Sequence, residues 1–168
     1  MKAIFLQRLT RLFVLLLFQV LVFNQVHVLG YITPLMMGYM IVCFHQGTSR
    51  SSILLWGFVT GLLFDIFSNT AGMASASCTL IAMLQPSLLT AFIPRDATEE
   101  FTPSLYTLGF WKYLLYVLIL MLILHGAFYL LDAFTLANWQ LTFLSIGGGA
   151  VLATFLIFFI ELLVRSRK

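Results

Sequence analysis

Long uninterrupted runs of apolar residues constrain this chain more than any other feature. Six runs are separated by short polar connections, and a helix needs about 20 apolar residues to cross a bilayer. They lie at approximately Leu12–Val28, Ile32–His45, Ile53–Ser68, Met73–Ile93, Phe110–Leu131 and Trp139–Val164. The alternation that a membrane β-barrel requires is missing from these runs. The sequence therefore predicts an all-α integral membrane protein with six transmembrane helices, in a single domain over residues 1–168.

The composition excludes a water-soluble globule. Hydrophobic residues make up 61% of the chain and charged residues only 9%, whereas soluble domains carry about 25% charged residues. Lipid must therefore complete the core. The basic residues are scattered and do not alternate with aromatic residues, so we predict no nucleic-acid partner.

Positive charge is confined to one side of a six-crossing arrangement. The Lys and Arg residues all lie at or beside the two termini and the connections near residues 46–52 and 94–109. The opposite connections, at residues 29–31, 69–72 and 133–138, contain none. Because cytoplasmic loops carry the excess of Lys and Arg, both termini are predicted to be cytoplasmic.

An acidic residue inside the third run is the first candidate for function. Gly57, Gly61 and Asp65 follow at four-residue spacing, so they share one helix face. Glycines allow close helix contact, and an ionisable side chain in a membrane is a functional hypothesis by default. Counted from Ile53, Asp65 lies about 18 Å along its helix, in the outer half of the membrane. Two interpretations stay open: an acid that reaches the interface, or a polar clasp or substrate contact.

A second polar stripe lies in the fifth run. His125, Tyr129 and Asp132 share one helix face, and with His27 they form a candidate polar pocket towards the outer side. The stripe would relay protons or bind a polar ligand, or its members would be hydrogen-bonded inside the helix bundle. Glu161, near the end of the sixth run, is predicted to reach the membrane surface beside Arg165.

The sequence contains no motif for catalysis. A nucleophile elbow, a zinc-binding H-E-x-x-H and a phosphate-binding loop are all missing. His27 and His45 are predicted at opposite membrane faces, and Cys43 and Cys78 match neither metal nor redox spacing. We therefore predict no enzymatic activity and no catalytic, cofactor-binding or metal-binding residues.

Two stripes of small residues at four-residue spacing predict helix-packing surfaces. They consist of Ala74, Cys78 and Ala82 in the fourth run, and of Ser145, Gly149 and Ala153 in the sixth.

The residues from Gly57 to Ser68 (G-F-V-T-G-L-L-F-D-I-F-S), followed by Ala71-Gly72-Met73, carry a family resemblance. They resemble the G-F-x-x-G-L-x-x-D-x-x-S block and glycine-containing turn of the bacterial rod shape-determining MreD family. The chain length, the six runs and Tyr31-Ile32-Thr33-Pro34 before the short second run agree with that family. Ser68 thus joins Gly57, Gly61 and Asp65 as a candidate helix-packing or partner interface.

The resemblance implies a non-enzymatic, multi-pass scaffold of the bacterial cytoplasmic membrane that regulates cell shape and peptidoglycan synthesis. Its implied partners are an MreC-type membrane protein and, indirectly, the MreB cytoskeleton and peptidoglycan synthases. The composition adds the lipid bilayer, and the sequence leaves open whether the chain is a monomer or a homodimer. The family is also similar in layout to substrate-binding subunits of energy-coupling-factor transporters. The alternative function is therefore a solute-binding subunit of a vitamin-type transporter, with a pocket near Asp65, Asp132 and Trp139.

Overall fold

The structure is a computed structural model that describes residues 2–23, 33–94, 101–132 and 139–165. These ranges are helical apart from their connections. The helices are α1 (Lys2–Phe18), α2 (Tyr39–Val42), α3 (Arg50–Ser68), α4 (Met73–Phe92), α5 (Leu105–Leu108), α6 (Phe110–Asp132) and α7 (Trp139–Arg165). A π-helical turn, Gln19–Phe23, extends α1, and a 3₁₀ turn, Met36–Gly38, precedes α2.

Five helical segments in the described ranges are long and apolar enough to cross a membrane. They are Phe5–Val22, Arg50–Ser68, Met73–Phe92, Phe110–Asp132 and Trp139–Leu163. Large apolar side chains point outwards from them: Phe13, Leu55, Met83 and Phe155 are between 63% and 70% exposed. Apolar surface of this kind needs lipid to cover it, so the chain is an all-α membrane protein.

The second apolar run does not form the long helix that the sequence predicted over Ile32–His45. In its described part, residues 33–35 form no regular secondary structure, and only the Met36–Gly38 turn and the single turn of α2 are helical. Pro34 explains the non-helical start, because it has no N–H to donate and disfavours helical geometry at the residue before it. Five long helices are therefore observed in the described ranges where the sequence predicted six.

Residues 33–46, which we call the central segment, run through the middle of the bundle. The Met36–Gly38 turn lies against all five long helices. Every residue from Pro34 to Val42 is buried, and Ile41 and Val42 have no exposed surface. Broken backbone at membrane depth is tolerated only where protein or water satisfies its polar groups. The five helices therefore have to supply hydrogen-bond partners to this segment.

The helix directions follow from contacts between side chains. Arg8 of α1 donates hydrogen bonds to Thr48 and Ser52, so α1 and α3 begin at the same end of the bundle. The ring of Phe92, the last residue of α4, packs edge-on against Tyr116 of α6, with 6.0 Å between ring centroids. Gly57 of α3 lies against Ala82 of α4 and Gly61 against Ser75, so the two helices are antiparallel and α4 ends at the bundle end at which α3 begins.

Helices α6 and α7 are also antiparallel. The ring of Phe110, the first residue of α6, packs against Phe158 near the end of α7, with 5.1 Å between ring centroids. We call this end of the bundle the basic end, because Arg8, Arg50 and Lys112 lie there. The opposite end holds the turn between α3 and α4.

Candidate functional site

Asp65 lies in the last turn of α3, and its carboxylate caps the start of α4. One oxygen accepts the N–H of Ala74 at 3.0 Å and the hydroxyl of Thr70, and the other accepts the N–H of Ser75 at 2.9 Å. Ala74 and Ser75 are the second and third residues of α4, whose N–H groups have no partner within the helix. A capping side chain normally comes from the residue just before the helix. Here Gly72 occupies that position and has no side chain, so Asp65 supplies the cap from the preceding helix.

The main chain of Asp65 ends its own helix. Its carbonyl accepts the N–H groups of Asn69 and Thr70, and Asn69 adopts a left-handed conformation with φ 55°. Gly72 also has positive φ, at 81°, which only glycine adopts without strain. Asp65 therefore forms hydrogen bonds at two helix ends. Its carbonyl accepts the N–H groups that follow α3, and its carboxylate accepts the unpaired N–H groups at the start of α4. The carboxylate also matches the positive end of the α4 dipole.

Gly57 and Gly61 lie on the same face of α3, in direct contact with α4. A Cβ at Gly61 would overlap the backbone of Ala74 and Ser75. A Cβ at Gly57 would lie 2.7 Å from the Cβ of Ala82 and 3.0 Å from the carbonyl oxygen of Cys78. The glycine face of α3 and the small-residue stripe of α4 therefore form one close helix contact within the chain. Ser68, the last residue of α3, is partly exposed.

The start of the central segment is held by Gln19. The Gln19 amide nitrogen donates to the carbonyl oxygen of Pro34 at 3.0 Å, and its amide oxygen accepts the N–H of Met36. Gln19 is fully buried in the π-helical turn that extends α1. A single side-chain amide thus replaces the helical hydrogen bonds that the segment lacks around Pro34.

His125 holds the same part of the segment from α6. Its Nε2 accepts the N–H of Leu35 at 3.2 Å, so the proton of the neutral ring lies on Nδ1, which donates to the Met121 carbonyl at 2.8 Å. The ring is fully buried. A Cβ at Gly149 of α7 would overlap this imidazole, so the glycine of the second small-residue stripe makes room for it.

Tyr129 extends this contact by one turn. Its hydroxyl oxygen accepts a hydrogen bond from the main-chain N–H of Thr33, with 3.2 Å between nitrogen and oxygen. Its ring stacks on the ring of His125, with 6.3 Å between the ring centroids. Of the candidate pocket residues, the structure therefore brings His125 and Tyr129 together, on the central segment. Asp132 is exposed at the end of α6, and His27 lies outside the described residues.

The far part of the central segment is held near the basic end. The Gln85 amide nitrogen of α4 donates to the Phe44 carbonyl at 3.2 Å and to the Tyr116 hydroxyl at 3.0 Å. The Tyr116 hydroxyl in turn donates to the carbonyl of Val42 at 3.3 Å. Both side chains are fully buried. They satisfy the carbonyl groups that the short helix α2 leaves without helical partners.

The position of Glu161 differs from the one predicted from the sequence. It was predicted to reach the membrane surface beside Arg165, but only 5% of it is exposed, and it accepts a hydrogen bond from the Tyr39 hydroxyl at 3.1 Å. Tyr39 belongs to α2, so this contact ties α7 to the central segment. The apolar pattern of α7 does not fix its rotation, and Glu161 lies on the face that turns inwards.

The chain matches no protein-family model, no curated protein and no solved structure. Within the described ranges, no group of three His, Cys, Asp or Glu side chains is arranged to hold a metal ion.

Taken together, the buried polar side chains of this bundle bind and position main-chain groups. Three of the polar side chains predicted to form a clasp or a pocket, Asp65, His125 and Tyr129, bind main-chain groups of this chain, whereas Asp132 is exposed. Gln19, Gln85, Tyr39 and Tyr116 were not predicted from the sequence. A glutamine inside an apolar run was the available signal for Gln19 and Gln85, since an unpaired amide in lipid is costly. Nothing local distinguishes the two tyrosines from lipid-facing aromatic residues.

Proposed function

We propose that this chain is a non-enzymatic membrane scaffold of the MreD type, acting in the cell-elongation machinery that regulates cell shape and peptidoglycan synthesis. One observation carries the proposal: the buried Asp65 carboxylate, central to the block that resembles MreD, is engaged with the backbone of α4. A carboxylate held in this way stabilises a helix hairpin and is not available as a general base. His125 is engaged in the same manner with Leu35.

In this proposal the chain crosses the bacterial cytoplasmic membrane six times, with both termini in the cytoplasm. The parallel directions of α1 and α3 support it, because the chain between them must return through the bundle to begin α3 beside Arg8. The central segment supplies that return. The gathering of Arg8, Arg50 and Lys112 at one end supports a cytoplasmic basic end.

The block that resembles MreD has an internal role in this proposal. Gly57, Gly61 and Asp65 bind α4, so they shape the scaffold and leave the contact with an MreC-type protein to other surfaces. Variants of the block should therefore disturb partner binding only through the fold. The vitamin-type solute carrier is less favoured, because Asp65, one of the residues predicted to line its pocket, is engaged with the backbone of α4.

Deletion of the gene in the bacterium that carries it tests this function. Cells are expected to lose their normal shape, and shape should return with the unaltered chain or with the control Gly147→Ala. Asp65→Ala should not restore it at matched membrane levels of protein. Unchanged cell dimensions in the deletion strain, measured by microscopy during exponential growth, would rule out a role in cell shape.

A further inference from the structure

We infer that the surface around Arg8 at the basic end binds the phosphate group of an anionic phospholipid. Arg8 lies near the start of the Phe5–Val22 span, and its guanidinium is directed towards Thr48, in the connection before α3, and Ser52, in the first turn of α3. Long basic side chains near a helix end reach for the headgroup region in this way. The charged group is therefore at the depth at which lipid phosphates lie.

The guanidinium of Arg8 is oriented by three contacts. It lies over the ring of Phe44, with 4.8 Å between Cζ and the ring centroid, and it donates to Thr48 Oγ1 at 3.4 Å and Ser52 Oγ at 3.5 Å. Thr48 is itself fixed by a hydrogen bond to Nδ1 of His45 at 3.0 Å. A preorganised guanidinium loses little freedom when it binds an anion.

This cation has no anionic partner in the part of the chain that the structure describes. The charged group that acts on Arg8 is Arg11, which is also positive. Of the described carboxylates, Asp65 caps α4, Asp132 is exposed at the end of α6, and Glu161 accepts from Tyr39. Arg8 keeps N–H donors beyond its two long hydrogen bonds, and a phosphate accepts such donors in pairs.

The surroundings of Arg8 fit a lipid better than a free anion. On the same helix, Leu9 and Phe13 are 44% and 67% exposed and present apolar surface to acyl chains. Arg11, which acts electrostatically on Arg8, and Arg50, the first residue of α3, are both exposed and add positive charge at this end of the bundle. Basic surfaces of this kind bind anionic headgroups, each Lys or Arg contributing about 1 kcal/mol, or roughly fivefold in affinity.

The test is native mass spectrometry of the purified full chain in detergent, with phosphatidylglycerol and phosphatidylcholine of identical acyl chains added in equal amounts. The unaltered chain is expected to retain phosphatidylglycerol preferentially, and Arg8→Gln should reduce that preference about fivefold. The control Lys112→Gln removes an exposed charge at the same end but on α6, and the preference should persist. Arg8→Lys should retain part of it, because the charge remains without the paired donors.

Three outcomes would overturn the inference. The first is equal retention of the two lipids by the unaltered chain, and the second is an equal loss in Arg8→Gln and Lys112→Gln. The third is displacement of phosphatidylglycerol by millimolar inorganic phosphate, which would identify a free anion as the ligand. If Arg8→Gln does not yield helical protein by circular dichroism, Arg11→Gln replaces it, since Arg11 is exposed and the same fivefold loss is expected.

Discussion

The carboxylate of Asp65 accepts the main-chain N–H of Ser75 at 2.9 Å, across the turn between two membrane helices. An acid at the end of one helix is thus the cap of the next. This relationship explains how an acidic residue is accommodated in a strongly apolar run with no basic partner among the described residues. Through this hydrogen bond, the block resembling MreD sets the register of α3 against α4.

Replacement of Asp65 should destabilise the hairpin. In Asp65→Ala, the N–H groups of Ala74 and Ser75 lose their acceptors, and we expect a decrease of about 2–4 kcal/mol in the free energy of unfolding. Asp65→Asn should cost less, since its amide oxygen still accepts one N–H. Unfolding of the detergent-solubilised protein by denaturant, followed by circular dichroism, gives these values. A decrease below about 0.5 kcal/mol for Asp65→Ala would refute the capping role.

The glycine face predicts a position-specific effect of alanine. Gly61→Ala inserts a methyl group into the backbone of α4, and we expect destabilisation by about 1–3 kcal/mol. Gly126→Ala and Gly147→Ala are the matched controls, because a Cβ at either position meets no atom within 4 Å. The controls should be neutral or more stable by up to about 1 kcal/mol, since alanine favours helix. Equal effects of all three changes would contradict the packing of α3 on α4.

Gln19 and His125 should act as a coupled pair. Both satisfy backbone groups within residues 34–36, so Gln19→Leu and His125→Leu each leave buried polar groups unpaired, at about 1–3 kcal/mol per group. Once either change has loosened the segment, the second should add less than its single effect. A double-mutant cycle of unfolding free energies measures the coupling. Strict additivity would mean that the two side chains hold independent regions.

The helices of this chain were predictable because length and hydropathy determine whether a segment can cross a membrane. Four runs became long helices close to their predicted bounds, whereas the first helix begins at Lys2, ten residues before the predicted Leu12. The contact of Gly57 and Gly61 was indicated by spacing alone, although sequence could not say whether α4 or another protein lay opposite. Asp65 binds Thr70 and the backbone amides of Ala74 and Ser75, which all lie within ten residues along the chain.

The central segment could not be predicted for a physical reason. Its backbone depends on side chains distant in sequence: His125 lies 90 residues from Leu35, and Gln85 lies 41 residues from Phe44. In the local sequence, only Pro34 indicates that a long helix would not form here. Glu161 illustrates the same limit. Apolar side chains occur on every face of α7, so the sequence pattern does not reveal which face is turned towards the bundle interior.

The proposed six crossings can be tested by cysteine labelling. With Cys43 and Cys78 replaced by alanine, single cysteines at the exposed positions Gln7, Ser51, Ala71 and Gln140 report their side of the membrane. A membrane-impermeant maleimide added to intact cells should label Ala71→Cys and Gln140→Cys, and leave Gln7→Cys and Ser51→Cys unlabelled until the cells are lysed. Labelling that separates Gln7→Cys from Ser51→Cys would show that the central segment does not return across the membrane.

Co-purification from native membranes is the most direct test of the scaffold function. The tagged chain is crosslinked in living cells, extracted and analysed by mass spectrometry, beside an unrelated tagged multi-pass protein at the same level. We predict enrichment of an MreC-type membrane protein with the unaltered chain and with Gly147→Ala, and its loss with Asp65→Ala. Equal recovery of the MreC-type protein with the chain and with the unrelated membrane protein would contradict the account.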